Sequence, residues 1–171
     1  MILNNAINAG SFVYCSFYMG PNETTTYLNE GHGHFHQAVY VVDGKGIGTV
    51  NDIDGNEIIT KPSVSPGELD ETLIDTKGTN HTIKTQESSL TFVAFNPIPD
   101  TRRLAFEVVK GPIEKTITAS EKRITVVCIT GPISANGKQL QTLQFAKIFP
   151  GKSAELALSD NTVCVLISDS E

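Results

Sequence analysis

Residues 30–46 read EGHGHFHQAVYVVDGKG and carry three of the chain's four histidines, His32, His34 and His36. β-Branched and aromatic residues follow at once, which predicts a strand that ends in a tight turn at Asp43–Gly44, because Asp-Gly favours positive φ. In an extended strand, residues i, i+2 and i+4 share one face. The three imidazoles are therefore predicted to project from one side of one strand.

This histidine ladder predicts a site for a divalent metal ion, because imidazole nitrogen is a common ligand of transition metals. The fourth histidine, His81, can join from a neighbouring strand and leave positions open for water or substrate. Two other interpretations stay open. The ladder can lie exposed on a sheet edge and bind metal only adventitiously. The Gly-His repeats can also form a loop before a strand that begins at Phe35, which would take His32 off the shared face.

The rest of the chain has the pattern of an all-β protein. Short β-branched or aromatic segments recur throughout and are separated by Gly, Pro, Asn and Asp turn signals, as in antiparallel sandwiches and barrels. The segment Asn96–Arg103 holds two prolines in three residues, which interrupt any strand ladder. The sequence therefore predicts a first domain, residues 1–105, that carries the histidines, and an additional β region, residues 106–171.

Composition and charge narrow the class of protein. The 171 residues include 13 Lys plus Arg and 19 Asp plus Glu, for a net charge of −6. An acidic chain repels phosphate, so a nucleic-acid partner is not expected. Three cysteines without a Cys-x-x-Cys spacing argue against a disulfide scaffold and a cysteine-rich zinc site. We find neither a signal-peptide pattern nor a long apolar run, so we expect a cytoplasmic protein without a membrane partner.

The histidine segment resembles the first sequence motif of the cupin superfamily, Gly-x5-His-x-His-x3–4-Glu-x6-Gly. Tyr40–Gly46 is similar to the hairpin that follows the ligand strand in that family. The second cupin motif, Gly-x5-Pro-x-Gly-x2-His-x3-Asn, is partly matched at Gly78–His81, and Pro66–Glu68 is similar to the turn that opens it. The resemblance covers about residues 18–99, and all four histidines fall inside the two motifs.

The glutamate ligand of the first motif has no clean counterpart in this sequence. Alignment on the hairpin puts Gln37 at that position, whereas alignment on His34 and His36 puts Tyr40 there. The resemblance therefore implies a shell of two or three ladder imidazoles plus His81, with Gln37 as a further candidate. Strand alternation puts Gln37 on the opposite face from His36 unless a bulge intervenes. Tyr40 shares the strand parity of the ladder, so it is a candidate proton carrier near the metal or a core aromatic residue.

The resemblance implies an antiparallel jelly-roll barrel with a metal inside one mouth and an apolar interior for a small organic ligand. Cupins bind Fe, Mn, Ni, Zn or Cu, and their activities include those of dioxygenases, isomerases, decarboxylases and lyases. We therefore expect a metal-dependent oxygenase or isomerase. The alternative is a non-catalytic jelly-roll module that binds a small ligand or sugar, or a structural accessory protein such as a viral one. A homodimer stays open, because barrel edges invite pairing.

The second half carries no histidine and is expected to be either an added sheet or a degenerate second barrel. A faint repeat aligns QAVYVVDGK (Gln37–Lys45) with QFAKIFPGK (Gln144–Lys152). If the repeat is real, it indicates a duplicated barrel whose second copy has lost the polar site. Cys128 and Cys164 fall in apolar segments and are predicted to be small core residues.

Overall fold

The protein is described by a computed structural model, which covers residues 2–3, 6–28, 38–51, 54, 56–64, 66–70, 80–99 and 102–169. The described residues form strands and turns, and none of them lies in a helix that could cross a membrane. The chain divides into two compact units, Met1–Arg102 and Arg103–Glu171. The boundary expected after residue 105 falls inside a strand of the second unit, in which Leu104 already pairs with Asp169.

The strands described in the first unit alternate with short turns, as its Gly-, Pro- and Asn-rich connections predict. They are β1 (Ile2–Leu3), β2 (Ile7–Asn8), β3 (Phe12–Met19), β4 (Thr24–Leu28), β5 (Ala38–Gly44), β6 (Gly46–Asn51), β7 (Glu57–Val64), β8 (Leu69–Asp70), β9 (Asn80–Lys84) and β10 (Leu90–Pro97).

The second unit continues with strands of similar length. They are β11 (Leu104–Lys110), β12 (Ile113–Ala119), β13 (Ile124–Thr130), β14 (Ile133–Ala135), β15 (Lys138–Leu140), β16 (Phe145–Ile148), β17 (Lys152–Leu158) and β18 (Val163–Asp169).

Each unit is an antiparallel jelly roll, and the two have the same strand order. In the first unit the sheets run β3-β10-β5-β8 and β4-β9-β6-β7, with β1 and β2 added on the outer edge of β3. In the second unit they run β11-β18-β13-β16 and β12-β17-β14-β15. If the strands are counted from β3 in the first unit and from β11 in the second, the eight strands of the two units correspond one to one. We call the units the first and second barrels. The predicted all-β jelly roll is confirmed, and the second half is a second barrel rather than an added sheet.

Side-chain alternation fills the interior of each barrel. In the first barrel the buried cluster takes alternate residues of β3, β5 and β10, with Ile83 from the other sheet. Its members are Cys15, Phe17, Met19, Val39, Val41, Ile83, Leu90, Phe92 and Ala94. The second barrel has a larger cluster, which includes Cys128, Ala154, Leu156 and Cys164. Burial of these apolar side chains is the main term that stabilises each barrel.

The two barrels share a bulge near the end of the third strand. The pairing between β5 and β10 skips Val42, and the pairing between β13 and β18 skips Ile129. Gly44 follows with φ +92°, as the Asp-Gly turn predicts. A Cβ at Gly44 would collide with the Ser89 carbonyl group, so only glycine fits.

The repeat expected from QAVYVVDGK and QFAKIFPGK pairs strands that do not correspond. The first segment contains β5, the third strand of its barrel, whereas Gln144–Lys152 contains β16, the sixth strand of the second barrel. The counterpart of β5 is β13. The two units therefore do share one architecture, but the match between these two segments does not align corresponding strands.

Candidate functional site

The structure tests the predicted ligand set only in part. His32, His34, His36 and Gln37 lie outside the described residues. His81 is described as a backbone position in β9, where it pairs with Tyr27 of β4 and Val50 of β6. The part of the chain that the structure describes contains no group of three His, Cys, Asp or Glu side chains able to hold a metal ion.

The register of the first barrel places two parts of the predicted site at one end. β5 and β6 meet at the turn Gly44–Gly46, so β5 begins, at Ala38, at the opposite end of the barrel. The histidine ladder directly precedes Ala38 in the sequence. β9 runs antiparallel to β6, with Ile47 opposite Lys84 near the turn and Val50 opposite His81 away from it. The start of β5 and His81 therefore lie at the same end of the barrel, which we call the ladder end.

Asn96 is a polar residue at the ladder end that the sequence analysis did not single out. It lies in β10 opposite Val13, one residue beyond the pair Phe95–Ala38 at the start of β5. Alternation puts Asn96 on the same face as Phe92, which belongs to the interior cluster. Asn-Pro usually reads as a turn signal, which is why the residue was missed. A sequence signal for Asn96 does exist: it is a polar residue two positions after Ala94, on the strand face whose other residues are apolar.

The side-chain oxygen of Asn96 is buried and has no hydrogen-bond partner among the described residues. Such an atom is rare in native proteins, because leaving it unpaired costs about 1–3 kcal/mol. The ladder end thus offers a neutral oxygen acceptor on β10, at the same end of the barrel as the backbone position of His81. Oxygen and imidazole donors together fit a divalent transition metal, so the described residues are compatible with the ion that the sequence predicts.

Tyr40 does not lie on the face that the parity argument predicted. Its strand neighbours Val39 and Val41 both belong to the interior cluster. Tyr40 lies between them, pairs with Val93 of β10, and is therefore on the opposite face of the sheet. The residue is buried, and burial raises the pKa of its phenol above the ordinary value of 10.0. The interior cluster takes the odd-numbered positions of β5, so Tyr40 lies on the face away from it, and its role as a proton carrier stays a prediction.

The second barrel carries no histidine at the position that corresponds to His81. Gly131 of the second barrel corresponds to Gly44 of the first. When the two barrels are aligned on these glycines, the position of His81 corresponds to Ala154, which is buried in the core. Alanine offers no ligand atom there. The second barrel does have a groove of about 440 Å³ between β11 and β12. An ion pair lines it, with Lys115 Nζ 2.6 Å from Glu107 Oε1, but no histidine.

No protein-family model matches the sequence, and no curated protein matches it with significance. Solved structures do resemble it. A conserved protein of unknown function from Pseudomonas aeruginosa is 11% identical, covers 97% of this chain and 87% of its own, and gives a TM-score of 0.64. An oxalate decarboxylase from Lactobacillus farciminis, in a formate complex, is 7% identical over 93% of this chain and 76% of its own, with a TM-score of 0.62.

A salicylate 1,2-dioxygenase from Pseudaminobacter salicylatoxidans is 11% identical over 93% of this chain and 71% of its own, with a TM-score of 0.57. The decarboxylase and the dioxygenase are both cupin-fold proteins. The chain has the cupin fold. The cupin resemblance stated from the sequence is thereby confirmed at the level of the fold. Identities of this size show the shared cupin fold alone.

Proposed function

We propose that the first barrel binds a divalent transition metal ion, Fe, Mn, Ni or Zn, at its ladder end. His81 and two or three of His32, His34 and His36 supply imidazole ligands, and Gln37 is a further candidate. This ligand set requires a bulge before Ala38, because Tyr40 has the parity of the three histidines and lies on the face away from the interior cluster. The observation that carries the proposal is the register that puts His81 and the start of β5 at one end of the barrel. All histidines of the chain belong to these two segments.

The proposed substrate is a small organic molecule, and the proposed reaction is of the oxygenase or isomerase type. When bound, the ion supplies Lewis acidity for a carboxylate, enediol or thiolate group. Val39 and Ala94 pair across β5 and β10 near the ladder end and belong to the buried interior cluster, so they would offer apolar surface to the carbon skeleton. The cupin neighbours that act on salicylate and oxalate support a small carboxylic acid as the first class to test.

A non-catalytic ligand-binding module is the second candidate. The observation that favours it is the position of Tyr40, which lies on the opposite face from the interior cluster. Tyr40 was the general acid or base that the sequence suggested. A metal site without a proton carrier would bind a small ligand rather than transform it.

The first experiment is elemental analysis of untagged protein that has been purified without chelators. The test variant is His34→Ala/His81→Ala, and the matched control is Lys84→Ala, an exposed position on the same strand as His81. We expect near-stoichiometric metal in the wild type and the control, and loss of it in the double variant. Less than about a tenth of an equivalent in the wild type, with no uptake of added metal, would contradict the proposal.

A second measurement separates the two candidate functions. Metal-loaded protein is incubated with salicylate or oxalate, each with and without oxygen, and products are followed by chromatography. Turnover that disappears in the double histidine variant supports an enzyme. Binding of either acid without turnover, seen by calorimetry, supports the non-catalytic module.

A further inference from the structure

The groove between β11 and β12 opens onto the core of the second barrel. Its volume is about 440 Å³, which is enough for a small organic molecule. Its apolar lining includes Ile117, Ile124 and Leu166. Ile117 and Leu166 belong to the buried core, and Ile124 packs against it. The groove therefore offers an apolar floor to a ligand that enters between the two edge strands.

One acidic and one basic side chain line the same groove. Lys115 Nζ lies 2.6 Å from Glu107 Oε1. Glu107 pairs with Leu166 and Lys115 with Leu156, both of which are core residues, so the two charged residues lie on the core-facing side of their strands. Burial is the main cause that raises the pKa of the Cys164 thiol to about 12. The Glu107 carboxylate also raises this pKa and the Lys115 ammonium lowers it, so both charges act on the interior of the barrel.

The first barrel has an uncharged residue at the position of Glu107. Phe92 and Cys164 take equivalent positions beside the bulges of the two barrels. Two residues further along β10 and β18, the partners on the edge strands are Cys15 and Glu107. Cys15 belongs to the buried interior cluster of the first barrel. The second barrel thus carries a carboxylate where the first barrel has a core side chain.

We infer that the groove between β11 and β12 binds a zwitterionic small molecule, an α-amino acid with an apolar side chain. The ammonium group of the ligand pairs with Glu107, its carboxylate pairs with Lys115, and its side chain lies on the apolar floor. The ligand replaces one ion pair within the protein by two ion pairs between protein and ligand. Opening the existing pair costs little, because both side chains are partly exposed.

The two charges also give the groove its selectivity. A ligand with only one charge would occupy one partner of the pair and leave the other without a counterion. All the residues of this site belong to the second unit, so the inference does not depend on the metal site proposed for the first barrel.

The first part of the test compares three ligands of one carbon skeleton on the metal-free wild type. Metal-free protein is needed because an ion could hold amino and carboxylate groups by itself. The ligands are leucine, isocaproate, which lacks the ammonium group, and isoamylamine, which lacks the carboxylate. Calorimetry measures the affinity, and the methyl resonances of Ile117, Ile124 and Leu166 report where the ligand binds.

The second part of the test removes each charge in turn, with Glu107→Gln and Lys115→Met. The matched controls are Glu114→Gln and Lys110→Met, which remove the same charges from exposed positions of β12 and β11 outside the groove. Urea unfolding of each variant shows whether it is folded.

We expect leucine to bind at least about tenfold more tightly than isocaproate or isoamylamine, because each of these leaves one protein charge unpaired. Glu107→Gln and Lys115→Met should each weaken leucine binding by at least about tenfold. Both controls should bind leucine as the wild type does.

Three results would overturn the inference. If leucine at millimolar concentration shifts none of the three methyl resonances, the groove does not bind this class of ligand. If isocaproate binds as tightly as leucine and Glu107→Gln has no effect, the groove holds an anion through Lys115 and not a zwitterion. If the controls weaken binding as much as the test variants do, net charge and not the groove controls it. The comparison of ligands on the wild type decides the question even where a variant unfolds.

Discussion

Cys128 of β13 and Cys164 of β18 face each other inside the second barrel as a non-hydrogen-bonded pair. They are register partners, and both belong to the buried core. The backbone hydrogen bonds of Cys128 point away from β18: its N–H donates to Gln144, and its carbonyl accepts from Leu143. In such pairs the Cα atoms are about 4.5 Å apart and the side chains are closest. Two thiols thus share one apolar site, as the sequence predicted for small core residues.

Burial of this pair makes the stability of the protein sensitive to alkaline pH. It raises the pKa of Cys128 to about 11 and that of Cys164 to about 12, from 9.0. Unfolded thiols therefore ionise first as the pH rises. The stability that the neutral thiols contribute is complete below pH 9 and is lost between pH 9 and about 12, at about 1.4 kcal/mol per pH unit for each thiol.

Urea unfolding at pH 8 and at about pH 10.5 measures this loss. The fall in the free energy of unfolding should be smaller in Cys164→Ala than in the wild type, because one titrating thiol is gone. An equal fall in the two proteins would mean that other groups cause the alkaline instability.

Replacement of Cys128 by serine should destabilise the second barrel without touching the metal site. The hydroxyl would be more strongly hydrated than the thiol in the unfolded chain, so its burial among apolar side chains costs about 1–3 kcal/mol, less whatever the Ile133 backbone N–H beside it restores. Thermal unfolding of the metal-free protein measures the loss, and elemental analysis should show unchanged metal. Cys128→Ala is the control for lost volume. Loss of metal in folded Cys128→Ser protein would refute the assignment of a purely structural role.

Thr85 holds the turn between β3 and β4, at the end of the first barrel opposite His81. Its hydroxyl donates to the Gly20 carbonyl at 2.5 Å and accepts from the Glu23 N–H at 2.9 Å. Thr85→Val should cost about 1 kcal/mol, because it removes two hydrogen bonds to partly buried backbone groups. Thr85→Ser keeps the hydroxyl and should cost less in urea unfolding. Equal losses in the two variants would show that the methyl group, not the hydrogen bonds, stabilises the turn.

The fold could be predicted because its signals are local. Alternation and turn residues identify strands one at a time, and the histidine spacing with the Asp-Gly turn pointed to a cupin. The second barrel could not be aligned from the sequence. Strands of one barrel share the same apolar composition and Gly-containing turns, so a short match between β5 and β16 arises as easily as one between true counterparts.

The sequence could not show which face of β5 Tyr40 occupies, and burial gives the reason. Both faces of β5 are buried: Tyr40 is 2% exposed and Val41 0% exposed. An apolar run that is buried on both sides carries no information about which face is the interior. Parity alone therefore could not place Tyr40. Asn96 was missed for the opposite reason, since the proline after it suggested a turn although the strand continues through Pro97.

Glu107 and Lys115 lie on the core-facing side of the two edge strands of the second barrel, where they line the open groove between β11 and β12. Glu107 pairs with Leu166 and Lys115 with Leu156, and both leucines belong to the core. In the first barrel the corresponding edge of β3 carries β1 and β2, whereas β11 pairs only with β18 among the described strands. Inward-pointing charges on an edge strand oppose pairing with another chain. The ion pair is therefore expected to keep this edge free.

Replacement of both residues by valine should promote self-association through this edge. The pair itself contributes little to stability, because the Lys115 and Glu107 side chains are 38% and 56% exposed, and such pairs contribute about 0–1 kcal/mol. The double variant should thus fold normally but sediment as larger species than the wild type at equal concentration. Glu107→Lys/Lys115→Glu restores a pair with the charges exchanged and should sediment as the wild type does. Self-association of the exchanged variant to the same extent would show that the identity of these side chains, not charge at the edge, controls pairing.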